Sequence, residues 1–249
     1  MLARLYHQGD LQVQQRVQLS ARNSHHLARV LRARVDTPVQ LFNGDGFQYA
    51  AQLTSVSPKA CEARVLARTA VASESPLHIT LLQGLSRNDR MDSCLQKATE
   101  LGVKRIVPLI CARSKYHLDE KRTQKKLQHW QQVIISACEQ SGRCVIPELS
   151  APQAPAQALH NCDASQRFFF DPEAQHSLPQ SLTCDSRIAI AIGPESGFDH
   201  TEIEQAIEHG FTAVRFGPRI LRTETAGPAA IAVIQAMWGD MGALSPDKT

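Results

Sequence analysis

The chain has 249 residues, 43% hydrophobic and 20% charged, with a net charge of +3. That is the composition of a soluble globular chain, long enough for a proper core in one or two domains. It excludes a membrane-spanning protein, since no run nears the ~18 apolar residues a span needs, and a disulfide scaffold, since the seven cysteines are scattered and never spaced C-x-x-C. The N-terminus, MLARLYHQGDLQVQQ, lacks the apolar core of a signal peptide, so a cytoplasmic location is expected. Charge is uneven along the chain. Residues 1–72 carry nine Lys/Arg against four Asp/Glu, a net of +5, which leaves −2 for residues 73–249. A basic first third suits a polyanionic partner.

That first third reads as β-rich with one short helix. Asn23 or Ser24 caps a helix through His25–Arg32, whose apolar face is Leu27, Val30 and Leu31. Arg22, Arg29 and Arg32 fall largely off that face, available to phosphate. His25 and His26 are adjacent and point apart, and no histidine spacing suggests a metal site. VQLFNGDGFQYAAQLTSV reads as a hairpin about Asn43-Gly44-Asp45-Gly46, and KACEARVLAR as a further strand. Short strands closed by tight turns predict a small barrel. The polar stretch VASESP, Val71 to Pro76, marks a boundary between a domain over 1–72 and one over 73–249.

The second domain alternates. LHITLLQ is a strand; a helix capped by Asn88 or Asp89 runs to Leu101 and ends at Gly102. KRIVPLI is a strand, and a long polar helix covers roughly Asp119 to Gln140. RFFFD and RIAIAIG are buried strands. Asp199 and Glu202 form a capping pair for a helix to His209; AVRFG is a strand, and an Ala-rich helix follows. Pro228 fits only a first turn, which starts that helix near Glu224 or Thr225. Strand–helix alternation with continuously apolar strands predicts an α/β fold with a parallel sheet covered on both faces.

Ligands of such sheets sit at the carboxyl ends of strands. Two ends are unusually decorated: RIAIAI runs into Gly193-Pro194-Glu195-Ser196-Gly197-Phe198, and AVRF into Gly217-Pro218-Arg219-Ile220-Leu221-Arg222-Thr223-Glu224-Thr225. Glycine admits a ligand close to the backbone, and proline stiffens the loop. Neither loop is a dinucleotide fingerprint, a P-loop or a nucleophile elbow. Arg222, Thr223 and Glu224 exceed what one helix cap requires. Structural ion pairs of Glu195 or Glu224 with Arg219 or Arg222 are the plain alternative to a chemical role.

IGPESGFDHTEIEQAIEHGF with FGPRILRTETA resembles the C-terminal signature of the small-subunit ribosomal RNA methyltransferase E family. SPLHITLLQGLSRNDRMDSCLQKATELGV, KLQHWQQVIISACEQSGR and HHLARVLR are similar to that family too, so the likeness covers essentially the whole chain. Two departures stand out. Ser196-Gly197 replaces the family's usual Gly-Gly, and Ala226-Gly227-Pro228 replaces Thr-Ala-Leu or Ala-Ala-Leu.

The resemblance implies S-adenosylmethionine (SAM) as cofactor and N3 of one uridine in 16S rRNA of the 30S subunit as target. It implies a SPOUT domain with a deep trefoil knot, preceded by a PUA-like RNA-docking barrel, and a homodimer through the knotted domain. Arg22, Arg29 and Arg32 would meet RNA. Ile192, Gly193, Pro194, Glu195, Gly197, Gly217, Ile220, Leu221, Thr223 and Thr225 would surround the cofactor. Arg222 would stabilise charge on the uracil, with Glu195 or Glu224 as proton acceptor. Neither a metal nor a membrane is expected. Two other readings fit the residues: a SPOUT enzyme acting on tRNA or a ribose 2′-hydroxyl, and a non-catalytic ribosome-assembly factor.

Overall fold

The computed structural model describes residues 2–114, 119–178 and 187–242, apart from the side chain of Asn88. Cys184 therefore lies outside the described residues. The chain divides into two compact units, one of residues 1–74 with 138–146 and one of 75–137 with 147–249.

The first unit is a five-stranded sheet in the order β1-β3-β4-β5-β2. β1 (Ala3–Tyr6) runs parallel to β3 (Pro38–Phe42). β3 forms the expected antiparallel hairpin with β4 (Phe47–Ser55), and β5 (Glu62–Ala70) then pairs with both β4 and β2 (Arg16–Gln18). Leu5, Val17, Leu27, Leu41, Leu53 and Val65 are among the core residues. The helix differs from expectation. α1 (Ala21–His25) starts three to four residues early because the Ser20 side chain accepts from Asn23 N–H. Asn23 and Ser24 are instead buried, Asn23 donating to the Tyr6 carbonyl and the Ser24 hydroxyl accepting from Cys61 N–H. From His26 the coil widens to a π-helical turn, closed by Leu31 N–H on the His26 carbonyl. Widening changes the angular period. Leu27 stays buried, while Val30 and Leu31 turn outward, 62% and 49% exposed. The segment 138–146 joins this unit through Arg4, which donates to the carbonyls of Cys138 and Arg143, and through the buried Arg143, which grips Glu74.

The second unit carries a six-stranded sheet in the order β11-β9-β10-β6-β7-β8, with every pairing parallel. Its strands are β6 (His78–Gly84), β7 (Arg105–Leu109), β8 (Glu148–Leu149), β9 (Gln166–Phe170), β10 (Arg187–Ile192) and β11 (Thr212–Val214). β6 and β10 are buried along their whole length after the first residue, as strands covered on both faces must be. The helices are α2 (Asn88–Glu100), α3 (Glu120–Ser141, whose last turn belongs to the first unit), α4 (Pro155–His160), α5 (His200–Glu208) and α6 (Thr223–Trp238). The capping box of α5 is present as read. The N-cap of α2 is Arg87, so Asn88 and Asp89, the two expected caps, both fall in its first turn. α6 begins at Thr223 with Arg222 as cap, and Pro228 lies inside it rather than in its first turn. The missing Pro228 N–H costs one bond to the Glu224 carbonyl, close enough to the helix start for the helix to survive. The six described cysteines are free and buried. No described helix is long and apolar enough to cross a membrane.

Candidate active site

β10 lies between β9 and β6 although β6 precedes it by some hundred residues. The chain thus builds the sheet outward from β6 in one direction and returns to build it in the other. Such a reversal opens a crevice at the carboxyl ends of the strands. A cavity of about 900 Å³ occupies that place. Its walls are the residues that follow β9 (Asp171 to Glu173), β10 (Gly193 to Glu195, Gly197 and Phe198) and β11 (Arg215 to Thr223), together with Arg90 of α2. The two Gly-Pro loops therefore face one space.

Close backbone approach explains the glycines. A Cβ on Gly84, at the end of β6, would stand 2.4 Å from Pro194 N, and one on Gly193 would stand 3.0 Å from Phe198 N. Gly217 adopts φ +58°, the left-handed region that glycine enters without strain. Gly197 does the same at φ +70° and closes the turn by donating to the Pro194 carbonyl. Phe170 and Phe216, with centroids 4.4 Å apart, form an aromatic wall. Ile220, 82% exposed, and Leu221 add apolar surface.

Of the residues read as a site, Ile192, Gly193, Pro194, Glu195, Gly197, Gly217, Ile220, Leu221, Arg222 and Thr223 line the cavity. Thr225 and Glu224 do not. Because α6 starts at Thr223, each further residue turns about 100° around its axis. Thr225 is thereby carried into solvent, and Glu224 toward α2. The Thr223 hydroxyl is engaged, donating to the Gly193 carbonyl at 2.7 Å. Ser196, which departs from the family pattern, does not line the cavity; its hydroxyl donates to the Arg113 carbonyl at 3.0 Å. Gly227 fits a place with no room: a Cβ there would stand 2.8 Å from Gln83 Oε1.

The carboxylates have a partner that sequence reasoning missed. Arg90 Nη1 donates to Glu195 Oε1 at 3.0 Å, and its Nε lies 3.7 Å from Glu224 Oε1. One guanidinium thus stands between the two acids, in place of the expected Arg219 or Arg222. In sequence, Arg90 is one more charge in a helix start. Only the packing of α2 against α6 brings it here. Glu224 Oε2 is buried with no hydrogen-bond partner. Cavity-lining Arg215, Arg219 and Arg222 are exposed, so the rim is cationic while Asp171, Glu173 and Glu195 put acids on the walls.

Residues 73–235 match the family described as RNA methyltransferase domain, and residues 19–66 the RNA methyltransferase PUA domain. A ribosomal RNA small subunit methyltransferase E from Buchnera aphidicola is 34% identical over 96% of this chain and 95% of its own. The chain belongs to the ribosomal RNA small subunit methyltransferase E family. Another member, from Bacillus subtilis, is 31% identical over 84% of this chain and 86% of its own. The crystal structure of the Neisseria gonorrhoeae methyltransferase E bound to S-adenosyl methionine superposes with a TM-score of 0.91, at 40% identity, covering 97% of this chain and all of that one. A Legionella pneumophila protein solved with bound SAM superposes equally well, at 37% identity over 96% of this chain and 99% of its own. The sheet order and the PUA-like first unit are thus those of methyltransferase E proteins.

Proposed function

We propose that the protein transfers a methyl group from SAM to N3 of a uridine in 16S rRNA, in the cytoplasm, with residues 1–72 docking RNA and residues 73–249 holding the cofactor in a knotted SPOUT domain. The observation that carries this reading is the convergence of both Gly-Pro loops on one cavity, in a fold whose solved relatives hold SAM. The residues suit that cofactor. The cavity is within the ~300–1,000 Å³ usual for small-molecule sites. Gly193 and Gly217 bring backbone to the cavity wall, Phe170, Ile220 and Leu221 offer apolar contact to an adenine, and wall carboxylates suit a sulfonium. Bound SAM supplies an electrophilic methyl group.

The chain's own residues supply position and charge. Uridine N3 carries a proton and becomes a nucleophile only on losing it. Of the two candidate acids only Glu195 faces the cavity, so Glu195 accepts that proton. Arg222, on the rim, stabilises the negative charge that spreads over the uracil. Glu224 acts from behind, as the second anchor of Arg90. Fixing both reactants in line provides much of the acceleration. A homodimer belongs to the same reading, supported by α6, which buries Ile231 and Ile234 but exposes Val233 and Met237 at 38% and 42%.

Methylation of 30S particles and of naked 16S rRNA with labelled SAM, followed by mapping of the product, tests the proposal. N3-methyluridine at one position is expected. Methyl groups on a ribose or only on tRNA would assign another SPOUT activity, and no SAM binding would indicate an assembly factor.

A further inference from the structure

After the exposed His78, β6 is apolar except for Thr80 and Gln83, and Gln83 is the more telling of the two. It is 1% exposed, stands opposite Ile192 in the sheet register, and does not line the cavity. A buried amide lowers stability unless both ends are satisfied. Here both ends are. The Cys94 thiol donates to Oε1 at 3.3 Å, and Nε2 donates to the Thr223 hydroxyl at 2.9 Å and to the Gly84 carbonyl at 3.3 Å. The Thr223 hydroxyl in turn donates to the Gly193 carbonyl at 2.7 Å. Burial pushes the Cys94 thiol up to about 12, so it keeps its proton and serves as a donor. Each group therefore has one direction open to it, and the chain runs Cys94 to Gln83 to Thr223 to Gly193.

We propose that Gln83 is a positioning residue for cofactor binding, bracing the Gly193–Gly197 loop against the Gly217–Thr223 loop through the Thr223 hydroxyl. The brace joins the first residue after β10 to the first residue of α6, so it fixes the spacing of the two walls that would clasp SAM. The close fit of Gly84 against Pro194 and of Gly227 against Gln83 leaves the loops little freedom to compensate for its loss. Hydrogen bonds aligned head to tail reinforce one another, so removing either link weakens the whole chain. This inference rests on the methyltransferase reading.

Calorimetric titration of the full-length protein with SAM tests it, using Gln83→Leu, Thr223→Val, Thr223→Ser and the double variant Gln83→Leu/Thr223→Val. Gln83→Leu leaves the cavity wall untouched, and Thr223→Val removes only a hydroxyl at similar volume. If Gln83→Leu fails to fold, Gln83→Met takes its place. Each single change is expected to weaken SAM binding about tenfold. Thr223→Ser should recover most of the affinity that Thr223→Val loses. The double variant should bind no more weakly than the worse single one, because both cut the same chain. Wild-type affinity in Gln83→Leu, a Thr223→Ser as weak as Thr223→Val, or full additivity in the double variant overturns the brace alone. A wild-type protein that binds no SAM overturns the methyltransferase reading and the brace with it.

Discussion

Arg90 changes how the charges at the cavity divide their work. Glu195, Glu224 and Arg222 lie within 29 positions of one another in the sequence, and nothing there ranks them. Once α6 starts at Thr223, only Glu195 and Arg222 remain on the cavity wall, and Arg90 ties the two acids together from a helix more than a hundred residues upstream of Glu195. The glycines of the two loops were readable because a Gly-Pro pair after a buried strand has a local cause. Arg90 was not, because its role depends on a helix–helix contact that no local pattern encodes. A ranking of activities follows. Glu195→Gln should lower kcat about 10²- to 10⁴-fold, the contribution usual for a positioned general base. Arg90→Ala should cost less, about tenfold, since it loosens Glu195 without removing it. Single-turnover methylation of 30S particles beside SAM titrations checks the order. A Glu195→Gln enzyme with wild-type kcat would return the proton to Glu224 or to solvent.

Elements differ in how far their ends and faces could be read. The capping box of α5 was legible because Asp199 and Glu202 act on their own helix, Asp199 accepting from Glu202 N–H and Glu202 from Asp199 N–H. What stayed hidden is that buried Glu202 also accepts from Ala112 N–H at 2.8 Å and so fastens the loop after β7 to α5. Glu202→Ala should therefore destabilise the protein by about 2 kcal/mol or more, since it leaves two backbone donors unpaired, against about 1 kcal/mol for the cap variant Asp199→Ala. Urea midpoints at constant slope decide the order, and equal losses would mean that the Ala112 contact contributes nothing. α1 shows the opposite case. A regular 3.6-residue period puts Val30 and Leu31 beside Leu27, and the π-helical turn breaks that period after His26. Leu27→Ala should cost about 2–5 kcal/mol as a buried cavity, while Val30→Ala should stay within about 0.5 kcal/mol. A large loss for Val30→Ala would show that it is covered in solution.

The arrangement of the strands was the least legible property of the molecule. Alternating strands and helices announce a parallel sheet, but neither period nor composition says that β10 returns to pair with β6 across a hundred intervening residues. That pairing creates the crevice, and it is a matter of chain path rather than of local preference. The exposure of Arg22, Arg29 and Arg32, by contrast, survives the change of helical period. Arg29 and Arg32 are exposed on the first unit, and Arg22 is half-exposed beside Glu139 at 3.8 Å. The role on RNA proposed for these arginines has a quantitative signature. A cation that neutralises a phosphate releases a counterion, so each true contact steepens the dependence of log K on log salt by about 0.7 on single strands and 0.9 on duplex. Arg29→Ala and Arg32→Ala should each flatten the slope for 16S rRNA by about that amount and leave SAM affinity alone. Arg22→Ala should flatten it less, because Glu139 already offsets part of its charge. Filter binding across a salt series reads all three slopes. Unchanged slopes for Arg29→Ala and Arg32→Ala would move the RNA surface elsewhere, with the cationic cavity rim of Arg215, Arg219 and Arg222 the next place to titrate.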